Sequence, residues 1–471
     1  MATVTSPPQK PARAVAVDGR TLRILSAPLG WTVLMLAWPV LGEQMLNSAV
    51  SFVDIYLAGN LPEADVVAST SAVGFAAYVS WLGSMVATLV GIGTGALVSR
   101  FWGSGRRRAA KLVLNRSVAL AAVVGTAFAA LIAWQAPVLV GLLADDAEVI
   151  GIATRFLRID AIGYPALTLG LIGAAALRGS GDMLTPLYVL IAVVAVNVGA
   201  SVGLSRYGMP GGEPLGVDGI AWGTVIARFV GAAALMTYLA SGRTALRLDP
   251  RQFGLRGAAV RRVLRVGAPA AGDSMIFWTG QVLFLAIIAQ VGETALAAHF
   301  VDIRVESLTY LSATAFGAAS ATLIGQNLGA GQAARARRGG HLATMQAAVV
   351  AGMAGVLFVA AAAPVLEVMT RDEGVREAAE PALRLIGWFQ IPLAMSIVYV
   401  ASLRGAGQSR LPVLITGFTT YLVRLPLAWL LAVTWGYGLW GAWAAMAADM
   451  GLRGLLAWLL YVRLRWERTR V

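Results

Sequence analysis

Cysteine is absent from the 471 residues, and histidine occurs only 2 times. That removes disulfide scaffolds, thiol nucleophiles and nearly all zinc chemistry. Charge is also scarce. Asp, Glu, Lys and Arg make up 13% of the chain, where a soluble domain carries about a quarter. No short apolar stretch leads to an Ala-x-Ala site, so no cleavable leader is expected. Phosphate loops of the GK[ST] type are missing. The runs GSG at 103–105 and GAG at 329–331 therefore read as tight turns, and an ion gradient is the expected source of energy.

Apolar sequence is abundant, at 58%, with a mean hydropathy of +0.73. It falls into twelve spans, each near the length of a bilayer crossing. They cover 29–58, 65–99, 113–142, 153–177, 185–205 and 216–241, then 264–290, 294–325, 342–369, 380–403, 411–434 and 437–461. Only helices or closed barrels cross lipid, and these spans are too long for tilted strands. An all-α polytopic membrane protein with twelve transmembrane helices is expected. The 53 Gly and 18 Pro suit helices that approach closely and tolerate kinks.

A net charge of +13 raises the question of nucleic acid, but the charges flank apolar spans at intervals and no nucleic-acid partner is expected. Basic residues mark one set of loops: the lead with Arg20 and Arg23, residues 100–116, 243–265, 335–338, Arg404 with Arg410, and the tail from Arg463. Acids mark the other set: Glu63 and Asp65, 145–148, Glu213 and Asp218, and Glu293, with a mixed stretch at 371–380. The positive-inside rule then puts both termini in the cytoplasm, as an even number of crossings requires.

The chain repeats itself. Pro39-x-x-x-Glu43 is echoed by Pro269-x-x-x-Asp273, LVSRFWGSG by LIGQNLGAG, LRGSGDMLTP by LRGAGQSRLP, and GVDGIAWGTVIA by GLWGAWAAMAA. The offsets run from 222 to 230 residues. The expected organisation is a disordered basic lead at 1–27, a six-helix bundle at 28–242, a basic linker at 243–263, a second bundle at 264–462 and a basic tail at 463–471. A short interfacial helix is expected from Leu22. The linker reads equally as a solvated connector or as an amphipathic helix on anionic lipid. Six crossings per half relate the halves by an axis along the membrane normal, which suits a transporter rocking about a central cavity. A channel would need a filter-like run, and none occurs. A membrane enzyme would need a convergent catalytic cluster, and none stands out.

The stretch 39–59, the segment 298–331 and the paired LRG-x-G motifs resemble the multidrug and toxic compound extrusion (MATE) family, over about 28–462. The resemblance implies two six-helix bundles around a V-shaped cleft. It also implies a secondary antiporter that exchanges inward Na⁺ or H⁺ for an outgoing cationic or amphipathic drug, in a prokaryotic inner membrane. An acid in the first helix binds the coupling cation in that family, and Asp54 in SFVDIYLAG is the match. No other cofactor is expected, and one chain is expected to suffice for function.

Within the spans, carboxylates are the first candidates, because a charge at membrane depth is costly and faces a cavity, a partner or an ion path. Glu43 and Asp54 are eleven residues apart, about 16 Å of helix and about 20° around its axis. They form one stripe with Asn47 and Gln44. The coupling-ion candidates are Asp54, Glu43 and Asn47. An unpaired carboxylate takes up a proton, whereas several neutral oxygens around it favour a hard cation. Glu43 reads equally as a packing acid. The substrate-cavity candidates are Asp273, Gln44, Trp278, Gln281, Tyr310 and Tyr399, with Glu43 and Asp273 facing each other across the pseudo-twofold axis. Asp160, Arg228, Asp302, Arg304, Glu306, Arg384, Arg424 and Asp449 read as structural intramembrane charges, with Arg228 or Arg384 available to neutralise Asp160. A flippase for a lipid-linked or anionic amphiphile is the alternative, kept open by these arginines.

Overall fold

Pro39, Pro137 and Pro269 lie inside long apolar helices rather than ending them, as neighbouring helices in a bundle permit. The computed structural model describes residues 19–61, 66–141, 146–208 and 212–469. After α1 (Gly19–Ser26), the first half comprises α2 (Leu29–Ala58), α3 (Val66–Gly103), α4 (Arg107–Gly141), α5 (Ala147–Ile162), α6 (Tyr164–Gly179), α7 (Leu184–Tyr207) and α8 (Gly216–Ala240). The second comprises α9 (Ala258–Ala289), α10 (Glu293–Gly329), α11 (Ala333–Ala360), α12 (Ala362–Met369), α13 (Glu373–Gly387), α14 (Gln390–Gly405), α15 (Arg410–Thr434) and α16 (Gly438–Arg463). No strand occurs among the described residues.

Among the described residues, nine of these helices are individually long and apolar enough to cross a bilayer, and the bent pairs α5–α6 and α13–α14 are so when each is taken together. α2, at 30 residues, completes twelve crossings. Glu43, Gln44, Asn47 and Asp54 interrupt its apolar run. The fourth crossing of each half is the bent one, by 45° in the first half and 58° in the second. Pro165 opens α6 and Pro392 opens α14, and neither has an N–H to donate back across the bend. α15 is wound loosely, with i to i+5 bonding at Thr419–Arg424 and Trp429–Thr434, on either side of Pro426.

The halves meet where α3 packs on α9 and α10, and where α2 packs on α10. At one end the approach is backbone to backbone. A Cβ on Gly103 would overlap the Gln326 carbonyl, and one on Gly329 would overlap the Arg100 carbonyl. The GSG and GAG runs are therefore crossing points as well as turns. Their last glycines, Gly105 and Gly331, take φ of 73° and 78° in the turns that follow. Gly329→Val is expected to cost about 1–3 kcal/mol through overpacking. Thermal unfolding in detergent checks this, and an unchanged midpoint would contradict the close approach.

The termini differ from expectation. Residues 1–18 of the expected disordered lead lie outside the described residues, as do Glu63, Asp65 and Asp145. Residues 19–26 are helical, starting earlier than Leu22, with Ile24 and Thr21 buried. The linker is shorter than 243–263, because α9 starts at Ala258. Between α8 and α9 its only helical residues are the turn Pro250–Gln252, not a long amphipathic helix. The ninth crossing, α11, starts at Ala333 rather than 342, and 362–369 forms the separate α12. The tail is docked rather than free. Trp466 is buried, and Arg337 holds Glu467 at 2.5 Å. Arg335 donates to the Ile24 and Ala27 carbonyls, so α1 and the tail lie at the same end of the molecule.

Candidate functional site

A polar side chain inside a twelve-helix bundle is retained only where it has a partner or a cavity. Three such places stand out among the described residues. The first is a cavity of about 520 Å³ between the halves. Its walls are small residues of α3, α6, α10 and α14, with Gln44, Ser84, Thr88, Arg178, Thr322 and Arg404 as the polar groups. Arg178 carries Glu43 at 2.6 Å, and Arg404 carries Asp273. The two pairs are repeat mates, since both arginines belong to the LRG-x-G motifs. In each pair the second carboxylate oxygen, Oε1 of Glu43 and Oδ1 of Asp273, is buried without a hydrogen-bond partner. Glu43 and Asp273 are thus each tied to an arginine of their own half instead of to one another. The cavity presents neutral pairs, where bare acids were expected. Gln44 donates to the Thr314 hydroxyl at 3.1 Å across the halves.

The second place lies inside the first half. Asp160 of α5 is fully engaged. Arg228 of α8 reaches it at 2.8 Å, the Tyr164 hydroxyl donates at 2.7 Å and the Ser80 hydroxyl at 3.2 Å. Arg228 also donates to Ser80 at 3.0 Å. Asp54 of α2 is different. Its charged neighbours are Arg228 and Asp160, the Thr224 hydroxyl lies alongside, and its Oδ1 is buried with no partner among the described residues. Asn197 donates to Thr224 at 3.2 Å and leaves its own Oδ1 unpartnered. Two partnerless oxygens and a hydroxyl therefore gather next to an arginine that already has its acid. Asn47 is exposed and is not bonded into this group.

The third place is its counterpart in the second half. Arg424 of α15, only 2% exposed, lies 3.7 Å from Asp449 and donates to Gln281. Arg453 binds Asp449 through both oxygens at 2.8 Å and the Thr420 hydroxyl at 2.8 Å. Asp302 is 0% exposed, and neither of its oxygens has a partner. Glu306, one turn on, is buried near Gln390 and Arg424. His299 accepts from the Trp443 indole at 3.2 Å.

The remaining candidates scatter. Tyr399 does not line the cavity. It is 5% exposed and bonds His341 at 3.0 Å, packed against Tyr461. Trp278 meets Trp81 edge-on, with centroids 6.1 Å apart, which joins α9 to α3. Tyr310 is half-exposed on α10. Gln281 serves Arg424 rather than the cavity. Arg304 stacks over Phe52 at 5.3 Å, joining α10 to α2. Arg384 pairs with Glu380 one turn earlier and reaches no other helix's acid among the described residues. Arg404, expected among the loop charges, sits in the cavity wall. Sequence reasoning missed Arg178, Arg453, Ser80, Asn197 and Thr224. Arg178 and Arg404 had a usable signal, because each recurs with its acid in both repeats.

Comparison with known proteins gives a consistent answer. The sequence model of the family described as MatE matches residues 39–202 and 269–430. The chain is 28% identical over 445 residues to the probable multidrug resistance protein NorM of Thermotoga maritima, covering 93% of each. It is 25% identical to the multidrug resistance protein PmpM of Pseudomonas aeruginosa, over 93% of this chain and 91% of that one. A crystal structure of MATE in complex with MaL6 superposes with a TM-score of 0.86 at 18% identity, covering 94% of this chain and 98% of that one.

Proposed function

We propose, since the chain belongs to the MatE family of membrane transporters, that it is a secondary antiporter exporting cationic or amphipathic compounds against inward Na⁺ or H⁺. One observation supports this reading above the others. Asp160 has its arginine, and Asp54 beside it keeps a buried oxygen with no partner. An incoming cation is then the natural neutraliser of Asp54. A carboxylate that is stable when loaded but costly when empty and occluded makes closure depend on the ion. Asn197 and Thr224 supply the further oxygens a hard cation wants, and a proton needs Asp54 alone. The drug occupies the cavity between the halves, where its charge exchanges with the Arg178–Glu43 and Arg404–Asp273 pairs. The protein works as a monomer in the inner membrane, with the arginine-rich end and both termini in the cytoplasm.

Reconstituted protein is expected to expel a fluorescent cationic dye under an imposed inward gradient. Separate Na⁺ and pH gradients name the ion. No gradient-dependent flux for any amphiphile would sink this reading. A second reading, export of an anionic or lipid-linked amphiphile, rests on Arg178 and Arg404 in the cavity wall. Flux of an anionic amphiphile with no flux of cations would favour it.

A further inference from the structure

The two repeats differ where they begin their fifth crossings. In the first, Asp182 precedes α7. Its carboxylate accepts the Thr185 N–H at 3.2 Å and the Thr185 hydroxyl at 2.9 Å, and it pairs with Arg20 at 2.7 Å. A negative group thus meets the positive end of the helix and a guanidinium together. In the second repeat, 226 residues on, Gln408 stands at that position. Its amide turns away and donates to the Thr469 hydroxyl at 2.9 Å. No side chain caps α15. Ser409 is 2% exposed, and its hydroxyl has no partner among the described residues.

Around this turn lies a pocket of about 170 Å³, lined by Arg262 and Arg265 of α9, residues 407–410 and Thr469. Arg262, Arg265 and Arg410 make no ion pair among the described residues, and no acid lines the pocket. Gly407, at φ 90°, keeps the turn free of side-chain bulk. The first repeat thus supplies its own anion at the helix start, and the second gathers more positive charge and supplies none.

We propose that this pocket binds a phosphate group, free or carried on a lipid headgroup, where Asp182 places its carboxylate in the first half. Phosphate offers several acceptor oxygens to guanidinium forks, the uncapped helix end and the Ser409 hydroxyl together. The volume suits a phosphate group and excludes the body of a large amphiphile. The site also joins three parts of the chain. Thr469 accepts from Gln408 on its hydroxyl and from Arg100 of α3 on its carbonyl, at 3.0 Å. A bound phosphate therefore fastens the tail, α9 and α15 at the end where the halves close.

The test uses the purified full chain in detergent, with two probes. Inorganic phosphate is titrated calorimetrically. Phosphatidic acid is compared with diacylglycerol of the same acyl chains for retention in native mass spectrometry. Two variants accompany the native protein: the triple Arg262→Gln, Arg265→Gln, Arg410→Gln, and Gln408→Asp, which keeps the three arginines and Ser409 and supplies an internal carboxylate. Binding of phosphate identifies a soluble anion, and preference for phosphatidic acid identifies a headgroup. Either supports the proposal when both variants weaken it by about tenfold or more. Binding of neither probe, or binding unchanged in either variant, overturns it.

Discussion

Asp54→Asn is expected to abolish gradient-driven efflux, lowering it by on the order of 100-fold, while the protein stays folded in the membrane. The substitution keeps the shape of the side chain and removes the charge an incoming cation would neutralise. Asp160 cannot take over, because Arg228, Tyr164 and Ser80 already engage it. The cavity between the halves does not include Asp54, so dye binding to purified protein is expected to survive. Proteoliposome efflux and dye binding measured on one preparation check both halves of the prediction. Unimpaired coupled efflux in the variant would remove Asp54 from the mechanism.

The second large effect is on stability. Arg228→Met is expected to cost about 3–5 kcal/mol, because it strands Asp160 in a buried site. The Asp160 side chain is 2% exposed and that of Arg228 14%, so water cannot replace the lost partner. Arg228→Met combined with Asp160→Leu is expected to recover much of the loss, since removing both charges leaves no uncompensated one. Thermal unfolding of the native protein and of both variants reads this out. A single variant as stable as the native protein would show that the pair is dispensable.

Apolar length and the repeat made the architecture legible. The expected span 29–58 coincides with α2, and every other crossing is found within a few residues, apart from the early starts of α4, α5, α9, α11 and α13. Those starts are basic or acidic turns that extend a helix beyond its apolar part, which hydropathy alone does not register. The pairings were harder to read. Arg228 and Asp160 are 68 residues apart, and only the packing of α8 against α5 brings them together. Tyr399 looked like a ligand because it is aromatic and intramembrane, yet its hydroxyl is used by His341. The polar side chains of Asn197 and Thr224 gave no signal, since lone Asn and Thr are common in membrane helices.

The crossing of α3 and α10 at Gly103 and Gly329 bears on how fast the halves can part. The two backbones touch there directly at the two glycines, so separation at these points demands no rotamer change, although the Ser99 side chain packs against Gly325 one turn away. The interactions given up at the glycines are dispersive, each about 0.1–0.2 kcal/mol per atom pair; beside them Gln326 donates to the Gly179 carbonyl at 3.0 Å and Thr322 to the Arg178 carbonyl at 3.2 Å. The directional links from Arg100 to the Ala406 and Thr469 carbonyls are few and use a flexible side chain. On the proposed rocking mechanism, a seam of this kind is a smooth parting line: it seals against water when shut and sets a low mechanical threshold for reopening.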